Sequence, residues 1–109
     1  MLKTEAPIGQ IVNEVADFLS KYIKVNKLIL FGSYGSGNPS KESDFDIAVI
    51  SEDLEKMTIL ERMKLFSKAA ILVDSRVELK GFGRSEFLKP EKASLLKMIK
   101  EEGKVVYSD

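Results

Sequence analysis

The chain has 109 residues, a length that suits one compact domain over residues 1–109, and its 44% hydrophobic content is enough to build a core. Lys plus Arg and Asp plus Glu number 17 each, and the resulting net charge of zero argues against extensive electrostatic binding to nucleic acid. Cys and His are both absent, which excludes disulfides, thiol or imidazole catalysis and soft-ligand zinc sites; any metal must sit on oxygen ligands, as Mg²⁺, Mn²⁺ or Ca²⁺ do.

The first residues, Met1-Leu2-Lys3-Thr4-Glu5, lack the apolar core of a signal peptide, and the longest apolar run, Ala69 to Val73, is too short to cross a bilayer. A cytoplasmic location away from membranes is therefore expected. Thr4 can cap a first helix, with Pro7 in its first turn. Ile8, Ile11, Val12, Val15, Ala16 and Leu19 then recur at helical spacing, so an amphipathic helix is predicted to end near Tyr22. Leu28-Ile29-Leu30-Phe31 is a short apolar run stopped by Gly32, which reads as a buried strand.

Residues 32–43 hold three Gly, four Ser, a Pro and an Asn, and read as a loop. Phe45, Ile47 and Val49 next alternate with Asp44, Asp46, Ala48 and Ile50, predicting a second strand with two acids on one face. Thr58 and Glu61 fit a capping box, and Ile59, Met63, Phe66 and Ala70 follow at helical intervals. Val77, Leu79 and Phe82 suggest a third strand, with Arg76, Glu78 and Lys80 facing the other way and Gly81 and Gly83 closing it. Pro90 can open a last helix that buries Leu95, Leu96 and Ile99 and stops at Gly103; Val105-Val106-Tyr107 then offers a short terminal strand. The order implies an α/β (α+β) fold with helices packed on a small mixed sheet.

Two features carry chemistry. Asp44 and Asp46 leave one face of a strand with backbones about 6–7 Å apart, and like charges so placed call for a compensating cation. Alone, such a pair is equally at home on a solvated strand face. The turn Gly32-Ser33-Tyr34-Gly35-Ser36-Gly37 can bring backbone N–H groups and the Ser33 hydroxyl close to a phosphate, though a Gly/Ser turn by itself is weak evidence. It is neither a dinucleotide-binding glycine motif nor a P-loop.

Together the two features are more specific. Gly32-Ser33 after a buried strand, nine intervening residues, then Ser43-Asp44-Phe45-Asp46-Ile47 resembles the signature of the DNA polymerase beta-like nucleotidyltransferase superfamily. The short chain and its closing residues, Glu101 to Tyr107, are similar to the minimal nucleotidyltransferases (MNT), which occur in prokaryotes as antitoxins beside small helical HEPN partners. The resemblance implies a nucleotidyltransferase fold, Mg²⁺ held by Asp44, Asp46 and a third carboxylate, and a triphosphate gripped by Gly32 and Ser33. Glu78 is the best match for the third acid and Asp74 its competitor; Arg76, Glu78 and Lys80 also read as a plain charged strand face. Ser36 stands where relatives commonly carry a basic residue, leaving Lys41, Arg76 or Lys80 to supply that charge. The implied activity is transfer of AMP from ATP to a hydroxyl of a HEPN toxin. The alternative is an inactive module of the same fold that neutralises or scaffolds a helical partner.

Overall fold

The computed structural model describes residues 8–32 and 45–109. The first helix, α1 (Ile8–Leu19), buries Ile11, Val12, Val15, Ala16, Phe18 and Leu19. Two antiparallel strands follow, β1 (Lys27–Phe31) and β2 (Phe45–Ile50). A 3₁₀ turn (Glu52–Lys56) leads into helix α2 (Ile59–Leu72). Strand β3 (Val77–Phe82), the short helix α3 (Arg84–Leu88), helix α4 (Leu95–Glu102) and strand β4 (Lys104–Ser108) complete the order.

The sheet runs β3-β2-β1-β4, with β2 and β3 parallel and the other pairs antiparallel. Parallel neighbours need a crossover, which α2 supplies. Alternation then divides the core in two. Leu28, Leu30, Phe45, Ile47, Val49 and Val77 face α1 and α2. Ile29, Phe31, Ala48 and Ile50 face the other way, against Phe87 of α3 and Leu96 and Ile99 of α4. The central strand β2 is thus buried on both sides beyond Asp46, which its apolar run of Ile47 to Ile50 permits.

The capping box of α2 forms as expected: Glu61 N–H donates to Thr58 Oγ1 at 3.1 Å, and Thr58 N–H to Glu61 Oε1 at 2.8 Å. Several expectations need correction. The last helix starts from Ser94, whose hydroxyl accepts from Lys97 N–H, not from Pro90. Phe82 packs with the second core, on the Glu78 side of β3, because an odd–even break separates it from Val77 and Leu79. Gly81 lies inside that strand, where a side chain would strike Phe66 and Leu54. The proposed cap Thr4 lies outside the described residues.

A buried hub at Asn26 went unread in the sequence. Its Oδ1 accepts from Glu52 N–H at 3.0 Å and its Nδ2 donates to Asp109 Oδ2 at 3.0 Å, while its backbone N–H donates to the Ile50 carbonyl. One side chain therefore ties the start of β1, the end of β2 and the last residue together.

Gly103 closes α4 with ordinary φ, so its reason is space. A Cβ there would sit 2.5 Å from Ile29 Cγ2 and 2.6 Å from the Ile99 carbonyl oxygen, and backbone cannot yield cheaply. Gly103→Ala is expected to cost about 1–3 kcal/mol of stability in urea denaturation. Glu55 links the 3₁₀ turn to α3 by accepting from Ser85 N–H at 2.8 Å and Ser85 Oγ at 3.0 Å. These Ser85 bonds hold its carboxyl below its ordinary value, despite a small opposing effect of burial. A lowered carboxylate stabilises the fold above its ordinary value, and the contribution fades as pH falls through the lowered one. Glu55→Gln is therefore expected to lower the melting temperature at neutral pH, with the gap to wild type closing in acid, below about pH 4.

Candidate active site

β1 ends at Gly32, whose φ of 72° lies in the left-handed region that glycine enters without steric cost. Space imposes a second demand. A Cβ on Gly32 would collide with the carboxylate of Asp46, on the neighbouring strand. The turn residue and the acid are thus in van der Waals contact through the missing side chain.

Asp46 is half-buried and shares its face with Ala48 and Ile50, the face that α3 and α4 cover further along. Its register partner on β1 is Phe31 and its partner on the parallel strand β3 is Glu78. Partners in register point to the same side, so Asp46 and Glu78 stand side by side at the uncovered end of that face. Glu78 is 50% exposed and pairs with Lys80 at 3.7 Å. Lys80 lies one step further along the same face.

Asp74 takes another place. It sits in the turn before β3 and accepts from Arg76 N–H at 2.8 Å, Nε at 3.1 Å and Nη2 at 3.0 Å. The Arg76 guanidinium also stacks 4.7 Å over Phe45, whose side chain belongs to the opposite core. Arg76 therefore does not continue the Glu78–Lys80 row, contrary to the simple alternation read from the sequence. The register places Glu78, not Asp74, next to Asp46. Among the described residues no third acid joins these two into a metal-holding group; Asp44, Ser33, Ser36 and Lys41 lie outside the described residues.

The donor set that is present suits a hard cation. Two carboxylates share one half-open face and both offer oxygen alone, a pair whose like charge a divalent ion would offset. The structure brings together two acids and a glycine singled out in the sequence: Asp46 and Glu78 in register, with Gly32 against Asp46. Sequence reasoning missed the Gly32–Asp46 contact, for which a glycine directly after an apolar strand was the only signal.

The model for the family described as polymerase beta, nucleotidyltransferase matches residues 13–109. The chain belongs to this nucleotidyltransferase family. A Methanocaldococcus jannaschii protein, MJ0604, named as a candidate protein adenylyltransferase, is 32% identical over 107 residues, covering 97% of this chain and 100% of that protein. Among solved structures, a chain of a toxin–antitoxin complex with AMP-PNP superposes with TM-score 0.62 at 28% identity, covering 89% of this chain and 73% of that one. A chain of the complex of tri-AMPylated Shewanella oneidensis HEPN toxin with MNT antitoxin gives TM-score 0.58 at 26% identity, over 92% and 71%. The mixed sheet with helices on both faces is accordingly a nucleotidyltransferase fold, and its class of chemistry is nucleotidyl transfer.

The Gly32–Asp46 contact can be tested by a double-mutant cycle. Gly32→Ala is expected to cost about 1–3 kcal/mol in urea denaturation, from backbone strain plus the displaced carboxylate. In an Asp46→Ala background only the strain remains, so the cost should shrink; equal costs in both backgrounds would mean no contact.

Proposed function

We propose that this nucleotidyltransferase transfers AMP from ATP to a hydroxyl group of a helical HEPN-type partner protein, and thereby serves as an antitoxin. The observation that carries the reading is the register pair Asp46–Glu78 at an open sheet end, against the left-handed glycine that closes β1. The relatives' names agree: MJ0604 is named for protein adenylyl transfer, and the similar solved complexes contain AMP-PNP or an AMPylated HEPN toxin.

In this proposal Asp46 and Glu78, joined by Asp44, hold Mg²⁺. When bound, the ion would offset the negative charge of the triphosphate and of the developing pentacovalent phosphorus. The backbone N–H of Gly32 and the hydroxyl of Ser33, next in the chain, are the groups proposed to hold the outer phosphates. Lys80, on the same face, supplies the positive charge that Ser36 does not. The partner's hydroxyl oxygen forms a bond to the α-phosphorus as the bond to the β-phosphate bridging oxygen breaks, releasing pyrophosphate. Glu78 is the base proposed to take the hydroxyl proton.

A second reading has an observation of its own. Glu78 is half exposed and already paired with Lys80, as on an ordinary solvated strand face, which fits a module that neutralises its partner without chemistry. One experiment separates the two. With ATP labelled at the α-phosphate, Mg²⁺ and the HEPN partner, label is expected on the partner; Asp46→Asn should abolish it, by at least about 10³-fold. Glu78→Gln should cut labelling far more than Asp74→Asn. Inhibition of the partner without labelling would establish the binding module instead.

A further inference from the structure

Helix α2 carries two stripes. One, with Leu65 and Ala69 buried, faces the sheet. The other, at positions 60, 63, 64, 67, 68 and 71, follows helical spacing and faces outward. With Tyr22 and Ile23 it lines a groove of about 800 Å³. Met63 is 59% and Ile71 79% exposed.

Its charges are of one sign. The ionic groups lining the groove are Lys64 and Lys68; among the described residues neither forms an ion pair, and Lys68 lies 5.7 Å over the Tyr22 ring. The other charges of α2 are engaged elsewhere. Glu61 closes the capping box, and both Nε and Nη2 of Arg62 donate to the Leu54 carbonyl. A second copy of the chain fits poorly, because two-fold packing centred on this stripe would set lysines against lysines.

We infer that this groove docks an amphipathic helix of the partner protein, one whose apolar edge is flanked by acidic residues. The spacing selects a helix as occupant, since ridges at three- and four-residue intervals accept the ridges of another helix. The lysines select the acids. The 14 residues of α2 offer about 21 Å of track, near four turns. This rests on the partner reading above but assigns the contact to the sheet face opposite Asp46, so that binding and chemistry are separable.

Binding of the purified HEPN partner to the full chain, by titration calorimetry at two salt concentrations, tests the assignment. Lys64→Glu/Lys68→Glu is expected to weaken binding at least about tenfold and to remove most of its salt dependence. Leu60→Asp should also weaken it, and melting curves check that both variants remain folded. Asp46→Asn should bind like wild type while transferring no AMP. Wild-type affinity in both groove variants would overturn the groove while leaving the partner reading intact. A homodimer of the chain that Leu60→Asp dissociates would overturn it in favour of a second copy. A wild-type chain that binds no HEPN protein would sink both.

Discussion

The space that a Cβ would fill at Gly32 is occupied by the carboxylate of Asp46, and the geometry of this end of the sheet follows from that contact. It requires a residue without a side chain directly after β1, and Gly32 meets this in the left-handed region. It also holds Asp46 at the mouth of the sheet, and the parallel register then sets Glu78 beside it. Two carboxylates on neighbouring strands repel, so the strand pairing must be secured elsewhere. Ile47, Ala48 and Val49, all fully buried, secure it. A slip of one residue would carry Asp46 into the α1–α2 core and Ile47 out of it, a penalty far larger than the repulsion.

How much of this was legible in the sequence varied with the range of the interactions. Features decided within a few residues came through: the Thr58–Glu61 box, the abrupt end of β1 at Gly32 and the spacing of α1. Gly32 and Asp46 stood out because the signature they resemble is local in sequence. The partnership of Asp46 with Glu78 was implied by the family resemblance alone, since parallel pairing across α2 leaves no trace in period or composition. The direction of Arg76 was obscured for another reason: it matches the strand alternation but is drawn onto Asp74 and over Phe45. Short elements such as Arg84–Leu88 offer too few residues for any periodicity to register.

Helix α2 shows the limit of periodicity most clearly. Ile59, Met63, Phe66 and Ala70 recur at helical intervals and justify the helix, yet Ile59 and Met63 lie on the surface, while Leu65 and Ala69 make the tightest sheet contacts. A helix with apolar residues on two sides satisfies the same pattern whichever side the sheet takes. The choice was made by its neighbours: α2 crosses between two strands, and its capping box and the Arg62 bonds to Leu54 fix its rotation. The stripe left over is the groove.

That leftover stripe bears on how acceptor and site meet. α2 runs from the 3₁₀ turn after β2 to the turn before β3, so its C-terminal end, with Ile71 and Leu72 exposed, lies at the same end of the sheet as Asp46 and Glu78. A helix seated along the stripe is on the far face, and its own side chains cannot reach across a buried sheet to the acids. An acceptor hydroxyl would have to come from a segment that continues beyond the docked helix and rounds the end of the sheet near Asp74. Such an arrangement would separate holding from reacting: the groove would supply residence time and the open sheet end the geometry.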